Sequence, residues 1–228
     1  MSTTTGANGQ NIPSGEFVML GKSISQTWAG EIDISVSQYS GETVSPAVTA
    51  PAFCIELTQD INLGQKYTDY LAAPVAQADQ GSLTQQAVQD LTTLYNLYYQ
   101  GNSKSNWSVK TATAFQLDCW KITSNPGNYT ITGSSAGSTF YDKGWNTTAG
   151  TQAVDLAQQW LTAVQGSDVN SNGSLKPVAL TSATNQDILF TQGIQAGLIP
   201  FKVNPWPGAA ALGAVVFLRM RRRMGHTA

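Results

Sequence analysis

The clearest alternation of apolar and polar positions in the chain is EIDISVSQ, residues 31–38. Ile32, Ile34 and Val36 fall on one side, and Glu31, Asp33, Ser35 and Ser37 on the other. A period of two marks a half-buried strand. AFCIEL, residues 52–57, reads the same way: Phe53, Ile55 and Leu57 share one face, and Cys54 shares the other with Ala52 and Glu56. The period then changes. Ser82-Leu-Thr-Gln85 is a capping-box pattern, and QQAVQDLTTLYNLYYQ behind it carries Val88, Leu91, Tyr95 and Tyr98 at helical spacing. VKTATAFQLDCWKIT places Ala112, Phe115, Cys119 and Ile122 on a second helical stripe, with Gln116 beside it. TQAVDLAQQWLTAVQ presents Val154, Ala157, Trp160, Leu161 and Val164 as a third. Short β-like runs follow at PVAL, DILF and IPFKV, and no internal repeat is visible. This order predicts an α+β fold: a β-sandwich or barrel-like scaffold with a helical insertion, followed by a short C-terminal apolar helix.

Composition narrows the function classes. The 228 residues suffice for one domain with a sizeable core. Only 11% are charged, Gly, Ser, Thr, Asn and Gln abound, and there are six Trp, which suits a β-rich extracytoplasmic protein. All four arginines lie in the last ten residues, and eight lysines against fourteen acids leave the rest of the chain at −6. Phosphate-backbone binding, and with it nucleic acid, is not expected. The single histidine is His226, so no His-dependent triad, general base or zinc site is available to the body. The glycine-rich phosphate and dinucleotide motifs are absent, and no carboxylate spacing singles out a hydrolase pair. DVNSNG opens like a calcium loop, but its twelfth position is Ala179, so a turn is expected there and no metal. No cofactor is implied, and multiple-turnover enzymology is not expected.

The C-terminus carries a different signal. After Pro205-Trp206-Pro207 come eleven apolar or small residues, Gly208 to Leu218, then Arg219, Arg221, Arg222 and Arg223. As a helix at ~1.5 Å per residue the run covers roughly 16 Å, about half of a ~30 Å hydrocarbon core. The basic cluster behind it leaves the body outside the cytoplasm under the positive-inside rule. The layout resembles a PEP-CTERM tail, the sorting signal read by an exosortase-like membrane protease. Pro205, Pro207, the apolar run and the arginines carry that resemblance, and Trp206 stands where the usual residue is Glu. It implies export and a membrane-held stage before processing. The first residues, MSTTTGANGQNIPSGEF, have neither a basic nor an apolar signal-peptide region. The expected export signal therefore lies upstream of Met1, or the true start differs.

Cys54 and Cys119 are the only cysteines, and Gln116 sits three residues before the second. A glutamine buried beside an apolar stripe needs a partner, since an unsatisfied polar group costs ~1–3 kcal/mol. One answer is a hydrogen bond. Another is covalent: a thiolate attacks the amide carbon, ammonia leaves, and an internal thioester remains, provided the two groups are held together and water is kept out.

FCIEL, INLGQKYT and, some sixty residues on, TAFQLDCWKI resemble the Cys–Gln thioester domain of bacterial surface adhesins, over roughly residues 27–165. The resemblance implies a Cys54–Gln116 bond, with Phe53, Glu56, Gly64, Tyr67, Phe115 and Trp120 at matching motif positions. Glu56 is a candidate assisting carboxylate beside Cys54, and Tyr67 and Trp120 are candidate walls around the bond. The implied partners are amines of a surface protein or hydroxyls of a polysaccharide, acylated once, as in adhesion or biofilm attachment. Departures fall at Asp118-Cys119, where the family has a small then an aliphatic residue, and at Lys121, where it has an acid. Cys119 lies one helical turn from Gln116, so a Cys54–Cys119 disulfide is the competing bond, open to an exported chain and exclusive of the thioester. Two free thiols, with Cys119 as a small core residue, are the third state. The disulfide alternative belongs to a non-covalent structural protein of the envelope or matrix. The expected organisation is a flexible segment over 1–14, a thioester-type domain over 15–203, and a sorting or anchor tail over 204–228.

Overall fold

The computed structural model describes residues 14–19, 22–39, 42–62, 65–99, 108–131, 140–145, 148–167, 175–191 and 213–218. Five strands come first: β1 (Ser14–Met19), β2 (Lys22–Trp28), β3 (Ile32–Tyr39), β4 (Glu42–Cys54) and β5 (Lys66–Pro74). Helix α1 (Gln85–Leu94) continues into a π-helical turn over Tyr95–Tyr99. After it come α2 (Val109–Ser124), β6 (Phe140–Trp145), α3 (Thr148–Gln165), β7 (Pro177–Thr181), β8 (Ile188–Thr191) and β9 (Gly213–Leu218). The fold is α+β.

Every described strand pair is antiparallel. β2, β1 and β6 form a small sheet, and β3-β4-β8-β7-β5 form a curled one whose two edges, β3 and β5, are bridged by β9 into a closed barrel. The helices lie in sequence between β5 and β7 and pack on one another, with α2 also seated against β4.

Strand alternation sorts the curled sheet into two faces. Ala50, Ala52, Val178, Leu180, Ile188 and Phe190 join Ile34, Tyr67 and Tyr70 in one buried cluster. Their neighbours Phe53, Ala179 and Leu189 turn the other way, into a second cluster with Leu91, Tyr95, Phe115, Trp120 and Leu161 from the helices. Phe53 and Phe115 meet with ring centroids 4.6 Å apart, and Tyr95 stands edge-on to Phe115 at 4.9 Å. Each such side chain contributes ~1.5–3 kcal/mol by leaving water.

The predicted strand at 31–38 and the three predicted helices are present, with shifts at their ends. The strand expected over 52–57 is the last part of the longer β4 and stops at Cys54. The cap of α1 is Thr84, whose side chain accepts the Ala87 N–H at 3.1 Å, rather than Ser82, which donates to the Asp79 carboxylate. PVAL and DILF become β7 and β8, while IPFKV lies outside the described residues. Within the C-terminal apolar run, read from sequence as helical, Gly213–Leu218 is extended and pairs with both β3 and β5. Pro205, Pro207, Arg219, Arg221, Arg222 and Arg223 lie outside the described residues. Among the described residues no helix is long and apolar enough to cross a membrane.

Candidate functional site at the end of strand four

β4 outruns its neighbour. β3 begins at Ile32, opposite Ala52, so two residues later Cys54 has β8 on one side, paired with Ile188, and no strand on the other. Ile55 donates its N–H to the Asp187 carbonyl on the β8 side at 3.1 Å. In an antiparallel ladder successive residues bond to opposite neighbours, so the N–H and C=O of Cys54 face the vacated β3 side.

Gln116 of α2 fills that place. Its Oε1 accepts the Cys54 N–H at 2.9 Å, and its Nε2 donates to the Cys54 carbonyl at 2.6 Å. One side-chain amide thus completes the ladder as a strand residue would. Thr113, one turn earlier on α2, donates to the Ala29 carbonyl at 3.0 Å, and Thr123 donates to the Ile55 carbonyl at 2.7 Å. Gln186 Nε2 donates to the Glu56 carbonyl. The backbone of residues 54–56 is buried at and just beyond the end of β4, and Gln116, Thr123 and Gln186 meet its polar groups, as burial demands.

The site is closed to bulk solvent: Gln116 is 1% exposed, and Cys54 and Glu56 are 6% exposed. Burial, and secondly the Glu56 charge, pushes the Cys54 thiol up to about 12. The Cys119 thiol is also pushed well above the usual range, by burial first and then by Asp118 and Cys54. Both cysteines are free, buried thiols, and Cys54 is near enough to raise the Cys119 thiol. Burial first, then the Asp187 and Asp79 carboxylates, raises the Glu56 carboxyl to about 7. Neither Glu56 oxygen makes a hydrogen bond of good geometry. Asp187 is better held: its Oδ2 accepts the Asp79 N–H at 2.7 Å and its Oδ1 the Ser182 N–H at 2.8 Å, while burial raises its carboxyl. Asp79 occupies the left-handed region at φ 49, which aspartate tolerates better than most residues. Among the described residues no group of three such side chains is arranged to hold a metal ion.

The structure therefore brings together Cys54, Gln116, Glu56 and Cys119, with Phe53 and Phe115 packed alongside and Trp120 buried on the same helix as Gln116. Tyr67 stands apart, in the opposite cluster, its hydroxyl bonded to the main chain of Asn62. Gly64 lies outside the described residues. Sequence reading missed Thr113 and Thr123, although they lie three before and seven after Gln116, on its own helical stripe. Asp79, Gln186 and Asp187 left no such signal, because only the tertiary fold carries them to residue 56. Chemically, the arrangement holds a thiol-bearing residue against an amide whose oxygen already accepts a backbone N–H, the donor an oxyanion at that atom requires. No known protein family, curated protein or solved structure matches the chain.

Proposed function

We propose that the chain is an exported cell-surface or matrix-associated protein in which Cys54 and Gln116 join as an internal thioester for covalent attachment to amines or hydroxyls of a surface partner. The observation that carries this reading is the Gln116 amide held on the Cys54 main chain at 2.9 and 2.6 Å in a buried site. In the reaction the Cys54 sulfur bonds to Cδ of Gln116, the Cδ–Nε2 bond breaks, and the thiol proton leaves with the nitrogen as ammonia. Attack by a partner amine then transfers the Gln116 acyl group to that amine and returns the Cys54 thiol. Each chain acts once, so the protein is a single-turnover acylating agent rather than an enzyme. The same burial shields such a bond from hydrolysis, and a macromolecular nucleophile reaches it only when α2 and the end of β4 separate.

A second reading has its own support. The Gln116 amide already satisfies both Cys54 backbone groups, and both thiols are free, so a purely non-covalent clamp in a structural envelope or matrix protein also accounts for the burial. Intact mass under non-reducing conditions separates the readings. The thioester removes one ammonia, a deficit abolished in Cys54→Ala and reversed by methylamine adding at Gln116. A Cys54–Cys119 disulfide removes two hydrogens, and an unmodified mass leaves only the clamp.

The tail reading has a separate test. Processing near Pro205–Pro207 would remove β9 from the barrel. A chain ending at Val203 that unfolds with unchanged cooperativity and midpoint supports a dispensable sorting tail. A large loss of stability makes Gly213–Leu218 part of the domain.

A further inference from the structure

Closing the bond requires a proton to leave Cys54 and another to reach the departing nitrogen. The charged and titratable groups facing this corner are few. Asp187 precedes β8, Asp79 sits in the turn after β5, Tyr70 comes from β5, and Cys119 comes from α2, while Asp118 of the same helix lies on its other side, toward Tyr98. Asp187 has both oxygens committed to the N–H groups of Asp79 and Ser182, and Asp79 accepts from Ser82. The Tyr70 hydroxyl donates to the Gln186 carbonyl at 2.7 Å, and its ionisation is raised by burial and then by Cys54. Glu56 differs from all of these. Its main chain is anchored by Gln186, it follows Cys54 by two residues just beyond the end of β4, where Ile55 still bonds to Asp187, its charge reaches the Cys54 thiol, and its buried carboxyl oxygens make no hydrogen bond of good geometry. Spacing of two in extended chain puts both side chains on one side.

Resting on the thioester reading, we propose that Glu56 is the proton carrier for the Cys54–Gln116 bond, and that Asp187 and Asp79 are the positioning residues that keep its carboxyl poised for this. Glu56 takes the thiol proton as sulfur bonds to Cδ. The charge on Oε1 is met by the Cys54 N–H. Glu56 then delivers the same proton to Nε2, and ammonia leaves, so the carboxylate is regenerated and no other reactant is consumed. A carboxyl raised to about 7 by burial and two neighbouring acids is matched to accepting and returning a proton near neutrality.

The test is formation kinetics. The full chain, unfolded under reducing conditions, is refolded across a pH series, and the ammonia-deficient fraction is followed by intact mass. In the wild type the rate should rise with pH to a plateau, with its midpoint near 7. Glu56→Gln should slow formation by about a hundredfold or more and erase the pH limb, while Glu56→Asp should restore part of the rate with the limb retained. Asp187→Asn, which leaves Glu56 in place, should move the limb to lower pH, and it serves should Glu56→Gln fail to refold. Formation in Glu56→Gln at the wild-type rate and pH dependence, or a limb unmoved in Asp187→Asn, overturns the role of Glu56 and leaves the thioester standing. A wild-type chain that keeps its full mass at every pH overturns both.

Discussion

Gln116 and Asp118 lie two residues apart on α2, and both side chains are fully enclosed, yet they stand in opposite situations. Gln116 spends its amide on the N–H and C=O of Cys54. Asp118 has no hydrogen-bond partner at either oxygen, and burial alone raises its carboxyl well above the usual range. One polar group ties the helical layer to the sheet at a single register. The other is retained without a bond, and burial favours its protonated form in the folded chain. Burial by itself therefore says little about what a polar residue contributes; the backbone opposite decides it. Gln116 faces the place where β3 is missing, whereas Asp118 faces the side of Tyr98 and the helices, whose backbone bonds are already made internally.

Four changes test that contrast, in order of expected size. Gln116→Leu keeps the volume but leaves two buried backbone groups without partners, at ~1–3 kcal/mol each. A loss of roughly 2–6 kcal/mol in denaturant unfolding is expected, and a loss below 1 kcal/mol would remove the clamp. Asp118→Leu should act oppositely and stabilise by about 1–3 kcal/mol, by deleting an unsatisfied polar group. It should also remove a pH dependence. The unfolded carboxyl ionises above its ordinary value of 3.8 while the folded one keeps its proton, so stability falls as pH rises, by up to ~1.4 kcal/mol per unit for such a group.

Glu56→Gln should flatten the pH profile over a defined window. The folded carboxyl is raised from 4.5 to about 7, so its contribution is complete below 4.5 and is lost as pH rises to 7. Melting midpoints across that window check this, and an unchanged slope would place the carboxyl in water. Thr123→Val should cost only about 1 kcal/mol, because the bond to the Ile55 carbonyl is made by a side chain that is itself only partly buried. Gln116→Leu combined with Thr123→Val should exceed the sum of the two if both fasten the same segment.

Legibility followed periodicity. The helices were visible because Leu91, Tyr95, Phe115 and Leu161 recur at a spacing that only a helix turns to one side. β3 was visible because its alternation is clean. β5 was not: its buried residues Tyr67, Tyr70 and Ala73 come three apart, and its register to β9 shifts between Tyr67 and Tyr70. A bulge of that kind breaks the period of two that sequence reading depends on. The run at 213–218 is a different case, since a stretch apolar at every position has no period with which to tell strand from helix.

At the site, sequence by itself brought Cys54 and Gln116 into one hypothesis and placed Glu56 on the Cys54 side of its strand. Residue chemistry and local spacing suffice for that, because alternation and helical pitch act over a few residues. Only the tertiary structure decided that β3 stops two residues short of Cys54, that the Gln116 amide takes its place, and that Asp187 and Asp79 crowd Glu56. Those facts depend on which strands lie side by side. Pairings across 20 to 131 residues are set by the packing of the whole core, and no local pattern encodes them.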